Sequence, residues 1–219
     1  VPGKNQDLHG NAPQAAAVAL LLIDVINDLE FAGGEALLPF ALPMARRIAA
    51  LKRRAQRARI PVIYVNDNFG KWQSDFRKLV RHCLEDGVRG EPVVQLLRPE
   101  EGDYFVLKPK ASGFFATPLD LLLEYLQVRT LVLTGVAGNM CVHFTANDAY
   151  LRDFRLVIPA DCVASQSREE NTAVLRQMRR LLGADIRQSA AVDLRRLTRR
   201  PHHGGATQSA GTARAKSRR

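Results

Sequence analysis

Nine consecutive apolar residues, Ala15 to Ile23, stop abruptly at Asp24, and the stretch AVALLLID from Ala17 is β-permissive throughout. A half-solvated strand alternates apolar and polar positions, whereas a strand covered on both faces reads as one unbroken apolar run. The run predicts a first strand at about 17–24, buried inside a parallel sheet. It falls far short of the ~20 residues a membrane helix needs. It also makes a poor signal peptide, because Asp7 offsets Lys4 upstream and no small-residue cleavage site follows Asp24.

A helix is expected next. Leu37, Ala41, Met44, Ile48, Leu51 and Ala55 recur at intervals of four and three, with Arg46, Arg47, Lys52, Arg53, Arg54 and Arg57 between them. Pro39 and Pro43 place its regular part after about residue 43, since an interior proline costs ~3 kcal/mol. Further strands are expected at 62–65, 104–107, 131–134 and 154–159, with a weaker one at 185–188. Helices are expected at 74–84, after Thr117-Pro118, from about Met140, and at 168–182 with Gly183 as C-cap. This βαβα alternation requires right-handed crossovers. The fold class is therefore α/β, a three-layer α/β/α sandwich around a mostly parallel, Rossmann-like sheet. One domain is expected at 15–194, with a polar leader at 1–14 and a basic, disordered tail at 195–219.

The charge follows that division. The chain carries 32 Lys and Arg against 22 Asp and Glu, a formal +10, yet eight of the basic residues lie in 195–219, where there is no acid. The body is nearly neutral, so nucleic-acid binding is expected of the tail at most. Three cysteines, Cys83, Cys141 and Cys162, are an odd count that does not look like a disulfide framework, and a reducing, cytoplasmic setting is expected.

In a parallel sheet, ligands bind outside the carboxyl ends of the strands. Those ends carry the carboxylate of Asp24, the polar cluster Asn66-Asp67-Asn68, the ammonium of Lys108 and the turn Gly135 to Cys141. Each is unremarked alone: Asp often ends strands, Lys is usually solvated, and Cys is usually a small core residue. Cys141, however, follows a strand and a Gly-containing turn and stands at the start of a helix, where the macrodipole favours a thiolate. A nearby ammonium is expected to lower the thiol pKa further, a carboxylate to take its proton, and the turn to aim N–H groups at an oxyanion. Together these groups point to a nucleophilic hydrolase.

The segments ALLLIDVINDLEF (19–31), VLKPKASGFFATPLDLLL (106–123) and LVLTGVAGNMCVHFTANDAYLRDFRLVIPADCVAS (131–165) resemble the isochorismatase-like cysteine hydrolases, a family that includes nicotinamidase, N-carbamoylsarcosine amidase, ureidoacrylate and maleamate amidohydrolases, and isochorismatase itself. The resemblance runs over roughly 15–190. It implies a catalytic Asp24, Lys108 and Cys141, a cis peptide at Val136–Ala137, and an oxyanion hole from the N–H groups of Ala137 and Cys141. It also implies a homo-oligomer, a dimer or tetramer. The metal-ligand pattern Asp-x-His of nicotinamidases reads Asp67, Asn68, Phe69 here, so neither a metal nor another cofactor is expected. Asp-x-Gln becomes Asp24, Val25, Ile26, Tyr-Ser-Ala-Phe becomes Ala111, Ser112, Gly113, Phe114, and Gly138 replaces a common Thr or Ser.

For the substrate, Asn66, Asp67 and Asn68 either hydrogen-bond a polar group or form a strand-end turn. Trp72, Phe114 and Phe115 either wall the pocket or join the core. Cys83 and Cys162 are expected to be structural. The reading is a metal-independent cysteine hydrolase cleaving a small amide or carbamoyl compound. The alternatives are vinyl-ether hydrolysis with Asp24 as acid, and a non-catalytic protein that binds through its tail.

Overall fold

The computed structural model describes residues 15–69 and 75–199. The expected leader, Trp72 and all of the tail from Arg200 lie outside the described residues. Six strands form one sheet: β1 (Val18–Ile23), β2 (Val62–Asp67), β3 (Tyr104–Lys108), β4 (Thr130–Val136), β5 (Arg155–Val157) and β6 (Val163–Ala164). The order is β3-β2-β1-β4-β5, with β6 pairing on β4, and every strand pairing is parallel.

All six residues of β1 are buried, and they divide by the two-residue period of a strand. Val18, Leu20 and Leu22 face one apolar layer with Leu37, Met44 and Ile48 of α1 (Gly34–Arg57). That layer also takes Phe76 and Cys83 of α2 (Phe76–Glu85) and Val93 and Val94 of α3 (Glu91–Leu96). Ala19, Leu21 and Ile23 face the other layer, with Leu119 and Leu123 of α4 (Leu119–Tyr125), Ala146 and Ala149 of α5 (His143–Tyr150), and Val174 and Met178 of α6 (Arg168–Leu182). The expected three-layer α/β/α sandwich is the observed fold.

Four details differ from the sequence expectations. Helix α1 starts at Gly34 and contains both Pro39 and Pro43. The two prolines are exposed and four residues apart, so the carbonyls they leave unpaired face water, while Leu37, Ala41, Met44 and Ala45 bury the opposite side. The 185–188 strand reduces to a single bridge, Val157 with Asp185, whereas β6 and α3 are short elements with no periodic signal. Residues 195–198, expected as the start of the tail, instead belong to α7 (Leu194–Thr198), whose buried Leu194 anchors it and whose first turn is capped by Asp193 accepting from the Arg196 N–H. By contrast, α6 has the expected bounds, with Ser167 accepting from the Glu170 N–H and Gly183 in the left-handed region at φ 64°.

Candidate active site

At the carboxyl ends of β1, β3 and β4 three reactive side chains meet. Asp24 follows β1 at φ 50°, a left-handed conformation Asp tolerates better than most residues, and its Oδ1 accepts from the Asp67 N–H at 2.7 Å. Lys108 ends β3, which is separated from β1 by β2, so about 10 Å of sheet must be crossed. Only a long stem manages this. Lys108 is fully buried, and its Nζ lies 2.9 Å from Asp24 Oδ2, 3.4 Å from Cys141 Sγ, 3.2 Å from the Lys110 carbonyl and 3.5 Å from Asp67 Oδ2.

Cys141 sits on a wide helical turn, Gly138–Val142, that leads into α5. The peptide Val136–Ala137 before it is cis. The Ala137 carbonyl accepts from the N–H groups on either side of Cys141, Met140 at 3.0 Å and Val142 at 3.2 Å. Two glycines are needed here. A Cβ on Gly135, at φ 113°, would meet Ile23 O at 2.0 Å, and one on Gly138 would meet Asn171 Oδ1 at 2.6 Å and Val163 Cγ1 at 2.8 Å. The second contact explains why no Thr or Ser stands at 138: α6 and β6 pack directly on the turn.

The electrostatics differ from the sequence expectation in one respect. Burial, reinforced by the Asp24 carboxylate, pushes the Cys141 thiol up to about 12, against the opposing pull of Lys108. The free site therefore holds a thiol at neutral pH, not the thiolate that a helix end and an ammonium alone would favour. Burial also raises Asp24 above the usual carboxylate range, although Lys108 and Cys141 act the other way. Burial pulls Lys108 down most strongly, but Asp24, Cys141 and Asp67 together outweigh it and hold the ammonium above the ordinary lysine value.

The remaining candidates are sorted by their contacts. Asn66 is fully buried, and its Nδ2 donates to the Ile26 carbonyl at 2.7 Å, which makes it a strut for the loop after β1. Asn68 is buried too, with its backbone N–H donating to Lys108 O at 3.0 Å. Of its two readings, Phe114 takes the core one: it is buried, with ring centroid 6.0 Å from Phe154 and Arg152 over its face at 4.7 Å. Phe115 is exposed. Cys83 and Cys162 are buried and unpaired with each other or Cys141.

Two contacts at the site had no sequence signal strong enough to single them out. The Asp67 carboxylate turns to Lys108, and Thr145 ties the Cys141 turn to the loop after β3. Thr145 Oγ1 donates to the Cys141 carbonyl at 2.7 Å and accepts from the Gly113 N–H at 3.0 Å. A threonine four residues after a helical cysteine is a weak hint of the first bond. The residues do not fit a nicotinamidase-type metal. Asp67 engages Lys108 and the Phe69 N–H, Phe69 supplies no imidazole, and among the described residues no group of three or more His, Cys, Asp or Glu could hold an ion.

Comparison with known proteins places this geometry in context. The family model for the isochorismatase domain matches residues 18–191. The isochorismatase family protein YaaI of Bacillus subtilis is 43% identical over 168 residues, covering 77% of this chain and 92% of YaaI. The ureidoacrylate amidohydrolase RutB of Methylorubrum extorquens is 32% identical over 172 residues, covering 67% of this chain and 69% of its own. Among solved structures, N-carbamoylsarcosine amidase from Thermoplasma acidophilum superposes with a TM-score of 0.63 at 28% identity, over 80% of this chain and 98% of that one. The nicotinamidase of Staphylococcus aureus shares the fold with a TM-score of 0.61 at 20% identity, over 79% of this chain and 98% of that one.

Proposed function

We propose, from the premise that this chain belongs to the isochorismatase family of hydrolases, that it is a cysteine amidohydrolase cleaving the C–N bond of a small amide or carbamoyl compound without a metal. One observation carries the reading: a single buried ammonium, Lys108 Nζ, lies 2.9 Å from a buried carboxylate and 3.4 Å from a thiol. That is a general base, a nucleophile and the cation that stabilises both charged states. The amidases among the relatives support the same chemistry.

In this mechanism Asp24 accepts the Cys141 proton as Sγ attacks the carbonyl carbon. The C–S bond forms while the carbonyl π pair moves onto oxygen, which is received by the N–H groups of Ala137 and Cys141. The carbonyl re-forms, the C–N bond breaks, and the proton on Asp24 passes to the departing nitrogen, releasing ammonia or an amine. Asp24 then takes a proton from water, whose oxygen attacks the thioester. Collapse expels the Cys141 sulfur, and the proton on Asp24 returns it to the thiol. Because the free thiol is held at about 12, the base works as the substrate arrives, with no stored thiolate.

Ammonia release from a panel of small amides, ureides and carbamates tests the reading, with wild type, Cys141→Ala and Cys141→Ser compared with and without a chelator. Chelator-insensitive turnover that falls at least about a thousandfold in both variants is expected. Full activity in Cys141→Ala would overturn the mechanism, and loss of activity to the chelator would overturn its metal independence. Turnover of a vinyl ether that survives thiol alkylation would move the assignment to acid catalysis by Asp24. We further propose a homo-oligomer, because the solvent side of α5 and the turn before it carries Met140, Phe144 and Leu151, each at least half exposed. Sedimentation as a monomer would refute that. We also propose a cytoplasmic setting, because Cys83, Cys141 and Cys162 are all free thiols.

A further inference from the structure

We infer that this site prefers uncharged or cationic amides over carboxylate-bearing ones, and that Asp67 sets the preference. The inference rests on the amidase reading for the substrate's place at Cys141.

The charges around the reacting sulfur come from four elements. Asp24 stands after β1, Asp67 ends β2, Lys108 ends β3, and Cys141 lies on the turn after β4. Lys108 is acted on by Asp24, Cys141 and Asp67, and Cys141 by Asp24 and Lys108. Asp24 and Lys108 neutralise each other at 2.9 Å. Burial and the Asp24 carboxylate favour the neutral thiol at Cys141, so among the described residues one carboxylate, that of Asp67, is left over.

Asp67 is also the least compensated partner of the ammonium. A lysine Nζ has three hydrogens, and four acceptors surround this one, of which Asp67 Oδ2 is the most distant at 3.5 Å. Its orientation is held, because Oδ1 accepts from the Phe69 N–H at 2.6 Å. Its side chain is 34% exposed, against 7% for Asp24, so of the two carboxylates it is the one that incoming solute meets. Both Asp67 Oδ2 and Cys141 Sγ lie within 3.5 Å of the same nitrogen, so a small molecule bonded to Sγ is within reach of Asp67. An amide, ureido or ammonium N–H donates to that carboxylate. A substrate carboxylate meets a like charge there.

A pair of reagents reads this charge selection without any knowledge of the substrate. Iodoacetamide is a small neutral amide and iodoacetate its carboxylate counterpart. With either, the S–C bond forms, the C–I bond breaks, iodide leaves with its electron pair, and the thiol proton passes to buffer. The rates at Cys141 are followed by peptide mass spectrometry at pH 8 and low salt, and the amide-to-acetate ratio is divided by that of N-acetylcysteine amide as a free, neutral thiol. For a partly solvated unit charge beside the reacting atom, the wild-type ratio is expected to exceed the free-thiol ratio by about tenfold. High salt should compress it. Asp67→Asn should lower the ratio at least about threefold and Asp67→Glu should retain it. Asp67→Ser gives the same reading should the Asn variant not fold. A wild-type ratio equal to that of the free thiol, or one unchanged in Asp67→Asn, overturns the inference. The two readings fail separately: no amide turnover anywhere in the panel sinks the amidase assignment while the alkylation ratio still reports on Asp67.

Discussion

Replacing Lys108 by Met keeps most of the stem's volume and deletes the charge, so it tests what holds the site together. The ammonium has contacts to Asp24, Lys110 O, Cys141 and Asp67 at 2.9, 3.2, 3.4 and 3.5 Å. In the variant, Asp24 stays only 5% exposed and loses its cation, retaining the Asp67 N–H at 2.7 Å. Removing one partner of a buried pair costs about 3–5 kcal/mol, a large share of the roughly 5–15 kcal/mol that holds a domain folded. At ~2 kcal/mol per molar urea, the unfolding midpoint should fall by about 1.5–2.5 M. The loss has a pH signature. Burial already raises Asp24 above its ordinary 3.8, and removing Lys108 raises it further, so across that window the folded variant binds more protons than the unfolded chain. Stability then falls as pH rises through the window and is flat above it. The penalty therefore grows as pH rises through the window and shrinks on acidification towards 3.8. Adding Asp24→Asn removes the stranded charge, and the double variant should be more stable at pH 7 than Lys108→Met alone. Urea unfolding of wild type, Lys108→Met and the double variant at several pH values measures all of this. A loss under about 1 kcal/mol at pH 7, or a double variant less stable than the single one, would refute the reasoning.

Three further outcomes are expected. Alkylation of Cys141 by iodoacetamide in the free enzyme should accelerate about tenfold per pH unit from 7 to 10 without a plateau, because the thiol titrates at about 12; a plateau below pH 9 would contradict this. Gly138→Ala should destabilise by about 1–3 kcal/mol, since its Cβ meets Asn171 and Val163 inside 3.0 Å, and a variant as stable as wild type in thermal unfolding would show that the turn can yield. Thr145→Val leaves the buried Gly113 N–H and the Cys141 carbonyl without their hydroxyl, at about 2–3 kcal/mol together, whereas Thr145→Ser should be nearly neutral; equal losses in chemical denaturation would assign the effect to packing.

What the sequence discloses depends on whether the cause is local. The apolar run of β1 is legible because two covered faces leave no polar position in it, and α6 because Ser167 and Gly183 mark its ends. The start of α1 is misread because a proline rule assumes buried carbonyls, while Pro39 and Pro43 lie on the solvent side. Phe114 stays open between two readings because an aromatic after a strand looks alike whether it turns to the pocket or to Phe154. The thiol's pKa is misread because a helix end and a lysine are visible in sequence, and the burial that outweighs them is not.

The site divides along the same line. Asp24, Lys108 and Cys141 stand out because parallel topology gathers the strands' carboxyl ends at one edge of the sheet. The Asp67 contact needs more: β2 and β3 must pair with Asp67 opposite Lys108, as they do. A shift of one residue in that pairing would turn the lysine to the other face of the sheet, away from Asp24 and Cys141 as well. Register is set by Val65 and Val106 packing into the same layer as Ile23, so an apolar pair two residues back along each strand determines the charge that a substrate meets at the sulfur. Substitutions that slip this register should abolish chemistry and charge selection together, whereas Asp67→Asn should alter selection while the Asp24–Lys108–Cys141 contacts remain.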